Sequence, residues 1–349
     1  MTTQNRRYDI DWLRVIAIGL LLIYHIAIVF QPWGVFIGFI QSNTPLINLW
    51  KPMQMLNVWR IPLLFYVSGM GVGFAMRKRN LKQLLLERTT RILVPFLFGI
   101  LAIVPLHIFV WQNYYHQDMK YMVNFGHLWF LFNIFCYVLI IAPAYQLLSE
   151  KKQLQVKAFF TKLYRTPIGF ALATGLFVIE ALLVNPESFE MYAMNLHGFV
   201  LGFLAFLIGF TFIISGGNLW ESLVKWRWYM IAPAILLYIL RITIFMPKAP
   251  NALIAVESNL WIFTILGFAT KHLNKPGKAL RYLSQAAYPI YILHMVYLYL
   301  TSSFILPLQL SAELQFILIV AFTFILCFGT YEIIRRTKIL RPLFGLKYS

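Results

Sequence analysis

The stretch Asp9–Phe30, DIDWLRVIAIGLLLIYHIAIVF, is an almost unbroken apolar run of 22 residues. About 20 apolar residues rising roughly 1.5 Å each are enough to cross the ~30 Å hydrocarbon core of a bilayer, so the run reads as a membrane-spanning helix. Beyond the two aspartates at its mouth, Asp9 and Asp11, two residues do not belong in hydrocarbon, Arg14 and His25. An ionisable side chain inside a membrane is costly and marks a candidate functional position. Eleven residues at about 100° each make roughly three turns plus 20°, which puts both side chains on one face, about 16 Å apart along the axis.

The rest of the chain has the same character. Of its 349 residues 60% are hydrophobic and only 12% charged, which excludes an ordinary soluble domain. Apolar runs place about ten helices near 10–31, 46–76, 91–111, 127–148, 167–185, 193–215, 228–247, 252–270, 284–306 and 313–334, the second broken around Arg60-Ile61-Pro62. The fold class is therefore an all-α polytopic membrane bundle. The segments between spans are too short to bury cores of their own, so residues 1–349 read as a single membrane domain.

The net charge of +18 follows from topology. With the N-terminus cytoplasmic, Lys51, Lys120 and Lys248 fall outside, Arg14, Arg60 and Arg241 fall in spans, and the other 24 of the 30 Lys and Arg face the cytoplasm. That asymmetry places both termini inside and leaves no case for nucleic acid. The first span, with charge before it, reads as a retained anchor rather than a cleaved signal. Cys136 and Cys327 lie within spans and imply no disulfide framework. Gly69 and Gly73 have the small-xxx-small spacing that lets two helices approach closely.

The usual soluble-enzyme motifs, G-x-S-x-G, a Walker loop and H-E-x-x-H, are missing from the sequence. His116 and Asp118 are too few to imply a metal, and no prosthetic group is implied. The ionisable residues in or beside spans carry more. His25, Arg60, Glu180, Arg241 and Glu257 share the outer half of the bilayer by position, and their plainest reading is a set of buried ion pairs joining Arg60 or Arg241 to Glu180 or Glu257. Arg88 and Arg91, in ERTTRILVP, stand three apart as a helix begins its crossing. They make either a positive-inside anchor or a guanidinium fork for phosphate. Tyr291 and His294, in LSQAAYPIYILHM, are neighbours on one helix face, with Pro289 expected to loosen the helix before them.

Taken together, the Arg14–His25 element, RIPLLFYVSGMG, ERTTRILVPF and LSQAAYPIYILHM resemble the acyltransferase 3 family of integral membrane acyltransferases. The opening RRYDIDWLRVIAIGLLLIYH is most similar to the branch that includes glucan biosynthesis protein C. The resemblance implies a multi-pass protein of the cell's inner (plasma) membrane. It would move an acyl group, acetyl or succinyl, from cytoplasmic acyl-CoA to a hydroxyl of an envelope or periplasmic carbohydrate. On that reading Arg88 and Arg91, with Arg14, bind the donor, and His25 accepts the hydroxyl proton. Arg60 or Glu257 orients that imidazole or steadies the oxyanion, and Arg60, Tyr291 and His294 face the acceptor. A multi-span transporter or flippase for a carbohydrate or lipid-linked substrate is the alternative class, and its usual sign of broken helices at matching places in two halves is missing.

The charge asymmetry makes a direct prediction. Single cysteines at Lys151→Cys or Lys278→Cys should be shielded from an impermeant thiol reagent added outside intact cells, and one at Glu187→Cys should react. Outside labelling at position 151 would reverse the orientation.

Overall fold

A computed structural model describes residues 6–245 and 248–348, and among them the regular structure is helical throughout. The long helices in chain order are α1 (Tyr8–Val29), α2 (Trp50–Met76), α3 (Leu81–Tyr114), α4 (Trp129–Gln146), α5 (Glu150–Leu163), α6 (Pro167–Val184), α7 (Leu196–Ser215), α8 (Asn218–Thr243), α9 (Asn251–His272), α10 (Lys278–Ile305) and α11 (Ala312–Arg336). A short helix, α12 (Leu340–Leu343), follows. Nine of the described helices are long and apolar enough to cross a membrane: all of these except α5, α10 and α12. The expected span 284–306 lies within α10, which is 28 residues long. Its tyrosines, serines and His294 dilute its hydropathy and keep it from joining the nine. The expected span 228–247 begins earlier than its apolar residues suggest, at Asn218, and its last two positions lie outside the described residues.

The chain divides into two compact units. Unit one comprises residues up to Ala17, Asn57–Leu86 and Asn133–Leu280, and unit two comprises Ile18–Leu56, Glu87–Phe132 and the chain from Arg281 on. In unit one α9 packs against both α8 and α6, and α7 against both α6 and α5. Close backbone approach joins α2 to α7. A Cβ at Gly69 would stand 1.9 Å from the Phe206 carbonyl oxygen, and one at Gly209 would stand 2.0 Å from that of Tyr66, so each helix offers the other a glycine. Gly73 meets the Ile213 side chain on the same seam, as the small-residue spacing suggests. Tyr66 then reaches across unit one to donate to Asn259 Oδ1 at 2.8 Å.

The second span is not broken at Arg60-Ile61-Pro62, contrary to the sequence reading: α2 runs through Pro62 without interruption. Proline lacks the N–H that would bond the carbonyl four residues back, here Val58, and a membrane offers no water in its place. The Tyr192 hydroxyl supplies the missing donor, 3.3 Å from Val58 O. Unit two repeats the device at Pro105, where Tyr121 donates its hydroxyl to Leu101 O at 2.8 Å. α3 also accommodates its prolines by widening. Two π-helical turns, Thr89–Leu93 and Gly99–Ile103, each end two residues before a proline, Pro95 and Pro105. α10 likewise continues through Pro289 rather than loosening there.

The tyrosine donor can be tested by a double-mutant cycle in detergent or nanodiscs. Tyr192→Phe should lower unfolding stability by about 1–3 kcal/mol, the range for an orphaned buried acceptor. The loss should shrink in a Pro62→Ala background, where the backbone N–H is restored. Strictly additive effects of the two substitutions would refute the coupling.

Candidate active site

Unit two holds five of the chain's seven histidines and clusters four of them, all but His116. α1 brings His25, α3 brings His107, the 3-10 turn Gly126–Leu128 brings His127, and α10 brings His294. His294 is fully buried, His107 is buried, and His25 and His127 are half-buried. The turn carrying His127 can press onto α3 because Gly126 adopts φ +49° and has no side chain. A Cβ there would lie 3.2 Å from both methyls of Val104.

The bonds among these rings are specific. His25 Nδ1 lies 2.9 Å from His294 Nε2, with the two imidazoles nearly parallel at 7° and their centroids 5.1 Å apart. On its other side His294 Nδ1 lies 2.6 Å from the carbonyl oxygen of Tyr291. His127 stands edge-on to His294, at 4.9 Å between centroids, and its Nε2 is 3.1 Å from Ile292 O. Tyr291 donates its hydroxyl to the main-chain carbonyl of His127, so α10 grips the turn at two points. His107 packs against His127 and Tyr299, and Tyr299 in turn donates to Gly38 O at 2.6 Å. Phe39, next in the same loop, lies against both His25 and Tyr299. His127 Nδ1 is buried with no hydrogen-bond partner among the described residues.

A second polar region of unit two lies at the start of α3. Arg88 ends the regular helix and Arg91 falls within the first π turn, so the two are not related by the i,i+3 geometry of an ordinary α-helix. The Tyr288 hydroxyl is buried, has no hydrogen-bond partner among the described residues and sits in the field of both guanidiniums. Arg91 also pairs with Glu87 at 3.2 Å. The chain after α12 closes on this region: Gly345, at φ +70°, lies against the Tyr288 ring and Arg91 O, and Phe344 packs on Phe98.

Of the residues expected from sequence, the structure brings His25, Tyr291 and His294 together in unit two and sets the Tyr288 hydroxyl in the field of Arg88 and Arg91. Arg14, Arg60 and Glu257 belong to unit one. Arg14 pairs with Asp11 at 3.6 Å and lies beside Gly71. Arg60 is fully buried in α2. Both carboxylate oxygens of Glu257 accept from Arg241, at 2.7 and 3.0 Å, and Glu190 joins the same guanidinium at 3.3 Å. That pairing matches one of the buried ion pairs expected from the sequence. Glu180 has a different partner, His197 Nδ1 at 2.9 Å. The sequence reading missed His107, His127 and Tyr288. His107 meets the criterion that selected His25, an ionisable side chain within an apolar run, and His127 opens the fourth expected span.

The arrangement offers an imidazole pair for proton transfer and, at the start of α3, a cationic region for an anion. No curated protein and no solved structure matches the chain. The Acyl_transf_3 family model, described as an acyltransferase domain, matches residues 7–332, from the residue before α1 to the last turns of α11. The histidine cluster and the arginine pair both fall within the matched region, and the chain belongs to this family of membrane acyltransferases.

Proposed function

We propose that the protein transfers an acyl group, acetyl or succinyl, from acyl-CoA to a hydroxyl of an envelope or periplasmic carbohydrate, with a glucan as the nearest acceptor class. The observation that carries this reading is the His25–His294 pair, a proton-accepting centre inside unit two of a family acyltransferase. A hydroxyl is a poor nucleophile until a base removes its proton, and a neutral imidazole is suited to that task near pH 7.

In the proposed reaction the hydroxyl oxygen bonds to the thioester carbonyl carbon while His25 takes its proton. The carbon–sulfur bond then breaks, and the thiolate leaves as coenzyme A, taking up the proton that His25 held. The donor's phosphates are placed at Arg88 and Arg91, where a guanidinium offers paired N–H donors to phosphate oxygens. The buried Tyr288 hydroxyl supplies a further donor in the same field. Arg14, eleven residues before His25 on the same helix, is assigned to guiding the donor, and Tyr291 to shaping the acceptor side. The charge asymmetry supports an inner-membrane protein with both termini and the donor site on the cytoplasmic side.

Purified protein given radiolabelled acetyl- or succinyl-CoA and a glucan oligosaccharide tests the reading. Folded His25→Ala protein should retain acyl-CoA binding and lose transfer by about 10²–10⁴, the usual contribution of a positioned general base. Arg88→Ala or Arg91→Ala should weaken acyl-CoA binding by about 1.5–3 kcal/mol, with Lys restoring only part. Transfer by folded His25→Ala at the wild-type rate would remove His25 from the chemistry. Envelope glycans of identical mass with and without the gene would remove the carbohydrate acceptor.

A further inference from the structure

With His294 neutral, the two hydrogen bonds its ring makes determine where the protons of the histidine pair lie. A main-chain carbonyl oxygen accepts hydrogen bonds and never donates, so His294 Nδ1, 2.6 Å from Tyr291 O, carries a hydrogen. In a neutral imidazole the other nitrogen then holds the lone pair, which makes His294 Nε2 an acceptor. Its partner at 2.9 Å, His25 Nδ1, must therefore be the donor. With Nδ1 protonated, neutral His25 has its lone pair on Nε2. This is the reverse of the ordinary preference of a free imidazole, which carries its hydrogen on Nε2.

We infer that His294 is a positioning residue that holds His25 in the Nδ1–H form and so makes Nε2 the base. The inference rests on the acyltransferase reading only for the role of the base; the tautomer follows from the hydrogen bonds of a neutral His294. Three features of unit two hold His294 still. It is fully buried, its Nδ1 is tied to the backbone of its own helix, and His127 stands against its ring edge-on. The Tyr291–His294 spacing matters because it puts the carbonyl of residue 291 within reach of the ring at 294, rather than for the tyrosine hydroxyl, which is spent on His127. When His25 Nε2 takes the proton of the attacking hydroxyl, its Nδ1–H still points at a lone pair. The positive charge then strengthens a hydrogen bond already made instead of leaving an unsatisfied donor in a buried site.

The test combines a spectroscopic and a kinetic reading on full-length protein in nanodiscs. With seven histidines in the chain, ¹³C,¹⁵N-histidine labelling and a His25→Ala subtraction assign the His25 signals. Wild-type His25 should show the shifts of the Nδ1–H form, and His294→Phe should move it to the Nε2–H form. His294→Gln keeps an acceptor oxygen near the place of Nε2 and should retain the Nδ1–H form. In acyl-CoA turnover, His294→Phe should lower kcat by on the order of 10²-fold with KM little changed, and His294→Gln should stay within about tenfold of wild type. A wild-type His25 in the Nε2–H form would overturn the inference, as would folded His294→Phe protein with wild-type kcat. If wild type moves no acyl group from acyl-CoA yet holds His25 as Nδ1–H, the proposed function fails and the histidine pairing survives.

Discussion

A carbonyl that loses its helical donor inside a membrane has no water to turn to, and much of this chain's internal architecture answers that constraint. Pro62 and Pro105 each strand the carbonyl four residues back, and each time a tyrosine hydroxyl from elsewhere in the same unit takes it up. Because those carbonyls are satisfied, α2 and α3 continue through their prolines, and the side chains beyond them keep a helical register. His107 is placed this way: it follows Pro105 by two residues, and its ring reaches His127 and Tyr299 only because α3 goes on as a helix after its second π turn.

The same rule applied to side chains gives the two units different solutions. Unit one meets its buried carboxylates with arginine or histidine partners, beside neutral pairs such as Tyr66–Asn259. Arg241 takes Glu257 in two hydrogen bonds and Glu190 in a third, and Glu180 meets His197, whose second nitrogen reaches Phe189 O at 2.9 Å. Breaking such a buried pair leaves an uncompensated charge and typically costs several kcal/mol, so these contacts hold helices in fixed positions. In unit two, hydrogen bonds join His25 to His294 and tie His127 and His294 to main-chain carbonyls. Those groups carry no fixed charge.

Apolar run length made the helices legible because the bilayer sets that length, and it located even α10, whose polar residues, His294 among them, lower its hydropathy. The interruption expected at Pro62 followed from a local rule, and the correction, Tyr192, stands 130 residues further along the chain, where no local pattern could point to it. At the site, His25 stood out as the lone histidine in an apolar run. His107 satisfied the same test but lacked a partner at helical spacing, and its partner, His127, comes from a turn after a loop. Tyr291 and His294 were legible as neighbours, but the atom that links them is a backbone oxygen, invisible to any reading of side-chain types. The Arg88–Arg91 fork assumed an α-helix through Thr89 and Thr90, and the π turn there follows from Pro95 downstream.

The use of a neutral imidazole beside His25 has an energetic logic. A carboxylate in that place would accept the same hydrogen bond and hold the same tautomer, but it would bring a buried charge that costs several kcal/mol unless it is itself paired. Unit one shows what that pairing requires: an arginine for Glu257 and a histidine for Glu180. An imidazole whose outer nitrogen is already bound to Tyr291 O offers an acceptor with no net charge, and its desolvation is met by one backbone carbonyl. A carboxylate partner would stabilise a protonated His25 more strongly. The neutral partner gives up part of that stabilisation and in return adds no carboxylate charge to the histidine cluster. Arg88 and Arg91, in whose field the Tyr288 hydroxyl lies, are fixed positive charges of the same unit, and the proposed function puts the anionic end of the donor there.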